Sequence, residues 1–159
     1  MDIADRLARG LVFAGVLEEN RNYWHSRYSG AGPTWIAHVA EEDLPGIIQA
    51  AFCLAQPSTM EGYGYPPLEA MACGVPVVVS DIPVLLATTG GKALAADPED
   101  PDQWMNAFDS LEHTEIYQEQ VRKGLAWTEP LRGSRGWQGH VSDIGDLLRS
   151  DPSGSIILN

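Results

Sequence analysis

Residues 61–81 read EGYGYPPLEAMACGVPVVVSD: two glutamates eight positions apart, three glycines, three prolines, then a string of valines. Each ingredient has a local meaning. Pro66 and Pro67 suit the first turn of a helix, where a missing N–H costs nothing. Gly62 and Gly64 let the backbone approach a ligand closely or adopt positive φ. Val75–Val79 is uniformly apolar, as a strand covered on both sheet faces must be. The stretch therefore reads as loop, helix and buried strand.

Working outward, period and punctuation give an alternating pattern. Strands are expected at Leu11–Gly15, Thr34–Val39, Phe52–Gln56, Val75–Val79 and Ala93–Ala96. Helices are expected at Asn22–Tyr28 and Glu41–Ala51, the latter with an apolar stripe at Leu44, Ile47, Ile48 and Ala51. A third follows Pro66, and a fourth, Ile82–Thr88, is closed by Gly90 and Gly91. Asp100 reads as the cap of another helix, with Pro101 at its first position and Gln103 completing a capping box. Two more helices are expected at Thr114–Trp127 and Arg135–Arg149. Strands separated by helices imply parallel βαβ units, so the predicted fold is a Rossmann-like, doubly wound α/β sheet with helices on both faces.

The chain has 159 residues, enough for one domain, read as 1–150 with a loose tail over 151–159. No apolar run is long enough to cross a bilayer, and MDIADRLARG does not read as a secretory signal. Cys53 and Cys73 lie in apolar segments at no metal-like spacing, which fits free thiols in a reducing cytoplasm. The formal net charge is −12, with no basic cluster, which argues against a nucleic-acid partner. His25, His38, His113 and His140 are scattered, and the tryptophans read as packing residues. The acidic run 97–102 reads as capping and not as a calcium loop.

An anionic ligand must then be held by local groups. Residues 57–69 fall outside the carboxyl end of a strand, where ligands bind in such sheets. The following helix points its N–H groups and positive dipole end into that crevice, an anion site needing no lysine. Glu61 in the loop and Glu69 about one turn into the helix add acceptors for hydroxyls. An anion flanked by two sets of hydroxyls outlines a nucleotide sugar.

The segment PSTMEGYGYPPLEAMACGVPVVVSD, 57–81, resembles the signature of the retaining, GT-B-type "group 1" glycosyltransferases of family four, including its E-x7-E pair. Tyr63 stands where that family usually has Phe. AEEDLPGIIQAA, GGKALAADPEDPDQW and SRGWQGHVSDIGDLL resemble flanking segments of the family's second Rossmann half. The resemblance implies metal-independent transfer of a hexose from a UDP-, GDP- or ADP-type sugar, with no further cofactor. Glu69 would hold the ribose hydroxyls, and Glu61, as the catalytic-site acid, the transferred hexose. Gly62, Tyr63, Gly64, Tyr65, Pro66 and Leu68 would complete the site, their backbone serving the sugar and diphosphate.

Two departures qualify this. The chain carries only the donor half, so the acceptor-binding half is expected elsewhere. The basic G-R-x-x-x-x-K clamp of the family aligns poorly with 15–21, where Val16 replaces the Arg and Arg21 the Lys. The spacing from Gly15 to Thr34 instead places LVFAG at the family's next strand and leaves the clamp unencoded. The chain alone is thus expected to be inactive. Three readings stay open: a donor domain, a non-catalytic interaction module, or one subunit of a split enzyme. In each, the exposed interdomain face suits a partner chain or self-association.

Overall fold

The computed structural model describes residues 10–14, 34–36 and 38–131. In chain order these form β1 (Val12–Ala14), β2 (Thr34–Ile36), α1 (Leu44–Gln49), β3 (Leu54–Gln56), α2 (Tyr65–Ala72) and β4 (Val77–Ser80). Then come α3 (Pro83–Thr88), β5 (Leu94–Ala96), α4 (Pro101–Leu111), α5 (Thr114–Thr128) and a 3-10 turn at Glu129–Leu131. The predicted helices at 22–28 and 135–149, the clamp segment 15–21 and the tail lie outside the described residues.

Among the described residues all strand pairs are parallel, and they form two sheets, β1–β2 and β3–β4–β5. β4 is central in the second, with Val77, Val78 and Val79 opposite Leu54, Ala55 and Gln56 on one side. Val78, Val79 and Ser80 face Leu94, Ala95 and Ala96 on the other. Alternation along β4 explains its unbroken apolar run. Val77 and Val79 pack into one cluster with Ile48, Leu68, Met71 and Leu85, from α1, α2 and α3. Val78 packs into another with Ala96, Trp104 and Leu111, completed by Phe52, Phe108 and Tyr117. Helices thus cover both faces, as expected of a doubly wound sheet. Each of these valines is at most 2% exposed, worth about 1.5–3 kcal/mol apiece.

The strand expected at Val75 starts at Val77, for a specific reason. The N–H of Gly74 bonds the Met71 carbonyl at 3.1 Å and that of Val75 bonds Ala70 at 2.9 Å, closing α2 as a Schellman motif. Gly74, at φ 76°, supplies the left-handed residue. Gly90 and Gly91 close α3 in the same way, through Ala87 and Leu86. The helix expected from Glu41 begins at Leu44, because residues 41–43 form a turn.

α4 has its expected cap residue, but Gln103 accepts from Asp97 instead of the Asp100 N–H of a capping box. Asp100 accepts from the backbone N–H groups of Asp102 and Gln103, at 3.0 and 3.3 Å. The Gln103 amide returns a bond to the Asp100 carboxylate at 3.0 Å and accepts the Asp97 N–H.

Candidate functional site

Everything proposed to touch a ligand hangs from the turn between β3 and α2. β3 ends at Gln56, the chain runs through a loop, and Gly64 caps α2 at φ 89°, ψ 51°. That left-handed conformation costs an L-residue about 1–2 kcal/mol, so glycine is called for. Space demands it as well. A Cβ on Gly64 would lie 2.6 Å from Leu85 Cδ2, and Leu85 is fully buried. Gly62 differs: it has no positive φ, and nothing lies within 4 Å of the place a Cβ would take. Of the two uses expected of Gly62, positive φ is therefore not one this loop makes.

The first turn of α2 is unusual within this molecule. α1, α3, α4 and α5 each close theirs with a bond from the fourth helical N–H to the cap carbonyl. These run Ile47 to Asp43, Leu86 to Ile82, Trp104 to Asp100 and Tyr117 to His113. α2 differs in its cap: Gly64 is left-handed, and no side chain caps the helix. Pro66 and Pro67 have no N–H to give. This end of α2 is the positive end of its helix dipole.

Glu61 is held, not loose. Gln56 Nε2 and Ser58 Oγ both donate to its Oε1, the latter at 2.7 Å. Gln56 Nε2 also donates to Ser58 Oγ at 3.0 Å. Two donors converging on one oxygen fix the carboxylate plane and direct Oε2 away from the trio.

Glu69 shares a helix face with Tyr65, four positions earlier, while Pro67, Leu68, Ala70 and Met71 take the buried side. Glu69 sits at the border, half-buried, and burial pushes its carboxyl above the usual glutamate range. The Tyr63 and Tyr65 rings meet at 4.7 Å, tilted by 48°. Burial, and then the neighbouring Tyr65, raise the Tyr63 phenol above its ordinary value. The Tyr63 carbonyl accepts from Thr88 Oγ1 on α3, and the Thr88 carbonyl in turn accepts from Trp127 Nε1 at 2.9 Å. This pins the loop to two helices behind it.

The structure thus gathers Glu61, Gly62, Tyr63, Gly64, Tyr65, Pro66, Leu68 and Glu69 on one loop and helix start. Gln56, Ser58 and Thr88 escaped the sequence reading. A lone Gln at a strand end and a Thr in a distant helix carry no local signal. At the lip, Met60 is 86% exposed and Tyr65 39%. Among the described residues no group of three His, Cys, Asp or Glu is placed to hold a metal ion, and no helix is long and apolar enough to cross a membrane.

A parallel sheet covered on both faces, with a helix starting beyond the carboxyl end of a strand, defines a doubly wound α/β domain. Known proteins place it further. Residues 9–125 match the family Glycosyl transferases group 1, and the chain belongs to that family of sugar-transferring proteins. It is 44% identical over 82 residues to an O-antigen chain mannosyltransferase B of Escherichia coli, which covers 50% of this chain and 22% of that protein. It is 32% identical over 121 residues to a D-inositol 3-phosphate glycosyltransferase of Corynebacterium jeikeium, 74% of this chain and 28% of the relative. The chain thus spans well under a third of the curated relatives it matches. Among solved structures, a sucrose-phosphate synthase from Thermosynechococcus elongatus superposes with a TM-score of 0.72 at 22% identity, over 92% of this chain and 40% of that one. That likeness shows the GT-B-type fold.

Proposed function

We propose that this chain is the donor-binding unit of a retaining glycosyltransferase, taking a nucleoside diphosphate sugar and presenting its hexose for transfer. The observation that carries the reading is the glycine-capped start of α2 beyond the carboxyl end of β3, with Glu61 in the loop before it and Glu69 in the helix. The positive dipole end of α2 suits diphosphate and sugar oxygens. Glu69 accepts the ribose hydroxyls, Glu61 accepts a hexose hydroxyl, and Gly62, Tyr63 and Pro66 shape the wall between them. No metal ion is invoked. Free thiols at Cys53 and Cys73 suit a reducing cytoplasm.

Transfer also needs an opposing wall that holds an acceptor. The exposed Met60 and Tyr65 at the lip favour a partner there, as an acceptor-binding domain or a separate chain. A pull-down that recovers no α/β partner would count against a separate chain.

Calorimetry with UDP, GDP and ADP, each with and without hexose, tests the core claim. Weak but saturable binding is expected, and silence from all three at millimolar concentration would refute it. Glu69→Gln should weaken the bare nucleotide about 10- to 100-fold, the usual cost of losing a charged acceptor. Glu61→Gln should spare the bare nucleotide and reduce only the added affinity of the sugar-bearing form. Equal losses for the bare nucleotide in both variants would mean the two ends are assigned wrongly.

A further inference from the structure

We propose that Gln56 is a positioning residue for the hexose end of the site, acting through the Glu61 carboxylate. The inference rests on the donor-binding reading above and adds a residue that the signature 57–81 does not contain.

Register makes the choice of glutamine conspicuous. Gln56 is the last residue of β3 and lies on the same side of the strand as Leu54, two positions earlier, which packs against the core. Its partner across the ladder is the fully buried Val79. An apolar residue would complete this face. A half-buried amide there is costly unless its hydrogen bonds are met. They are met forward, toward the loop: Nε2 donates to Glu61 Oε1 and to Ser58 Oγ. The backbone that carries it is fixed by the sheet, and its own carbonyl accepts from Ser80 Oγ at 3.4 Å.

The arrangement has a direction. The Ser58 hydroxyl accepts from Gln56 and donates to Glu61, so both donors of the trio end on the same carboxylate oxygen. Glu61 Oε2 is left to face a ligand, while the rotamer is set from the strand. A loop acid would otherwise adopt several rotamers, and a hexose would have to select one. Anchoring the carboxylate on a sheet residue removes that selection before the sugar arrives.

Gln56→Met tests this, since it keeps the length and apolar packing of the side chain and removes the donor. The sugar-bearing nucleotide should lose about three- to tenfold of its advantage over the bare nucleotide, while the bare nucleotide binds within twofold of wild type. Gln56→Met combined with Glu61→Gln should be no worse than Glu61→Gln alone, because both act on one carboxylate. Ser58→Ala should show the same split at smaller size, and it carries the test should Gln56→Met fail to fold. A full sugar advantage in Gln56→Met, or equal losses for both ligands, overturns the proposal. If Glu61→Gln alone leaves the sugar advantage intact, or the wild type shows none, the Glu61 assignment falls and takes this inference with it. If Glu61→Gln abolishes the advantage and Gln56→Met preserves it, only this inference falls.

Discussion

α2 and α4 both begin after strands with proline in the first turn, and they cap their first N–H groups in opposite ways. α4 spends them at home: Asp100 takes two, and Gln103 ties the cap shut. α2 has a glycine cap with no side chain and a left-handed backbone. The contrast separates a helix end capped by its own side chains from one that is not. Burial follows the same division. The Asp100 carboxyl is exposed and is held below its ordinary value by the Gln103 side chain and then by backbone bonds. That of Glu69 is half-buried and raised.

The comparison breaks most visibly at Gly64. Gly64→Ala forces a Cβ into a positive-φ position against buried Leu85, at an expected cost of about 2–4 kcal/mol in chemical denaturation. An unchanged midpoint would mean that the left-handed cap is not a feature of the folded protein. Next in size is Glu69→Gln, with its loss of about 1.5–3 kcal/mol in nucleotide affinity and no loss of fold.

The pH dependence sharpens the same contrast. Hydroxyl donors need Glu69 ionised, and its carboxyl titrates above the ordinary glutamate range. Nucleotide affinity should therefore fall, on acidification, earlier than an exposed glutamate would predict, and Glu69→Gln should flatten the profile. For folding the sign is opposite. The raised value favours the folded state when Glu69 is protonated, and that contribution is lost as pH rises through the folded value. Asp100 runs the other way: its lowered value stabilises at neutral pH, and that contribution is lost as pH falls below the ordinary aspartate range.

Asp100→Ala should lower the thermal midpoint by a few degrees through the lost cap, with nucleotide affinity untouched. A change in affinity would mean the two helix ends are not independent. The smallest effect is expected at Gly62, whose surroundings are open. Gly62→Ala should stay within about 0.5 kcal/mol of wild-type stability, in the same denaturation assay.

Much of this was legible in the chain. The valine run announced a strand covered on both faces, and Asp100-Pro101 with Gln103 announced the start of α4. The E-x7-E spacing with two prolines placed both glutamates around one helix start. These are local patterns whose period or chemistry has few alternatives. The strand boundary at Val77 was less legible, because Gly74 and Val75 belong to the closure of α2. Gly62 and Gly64 look alike in the sequence and differ in the fold.

The amino-acid sequence by itself determined the α/β alternation, the family and the residues of the candidate site, since all three are written in spacing within short segments. Tertiary structure alone decided which glycine is indispensable and that Gln56, Ser58 and Thr88 hold the loop. Gly64 is constrained by Leu85 and Tyr63 by Thr88, partners more than twenty positions away. Such contacts depend on the angle at which α3 returns to the sheet, and no local pattern encodes that angle.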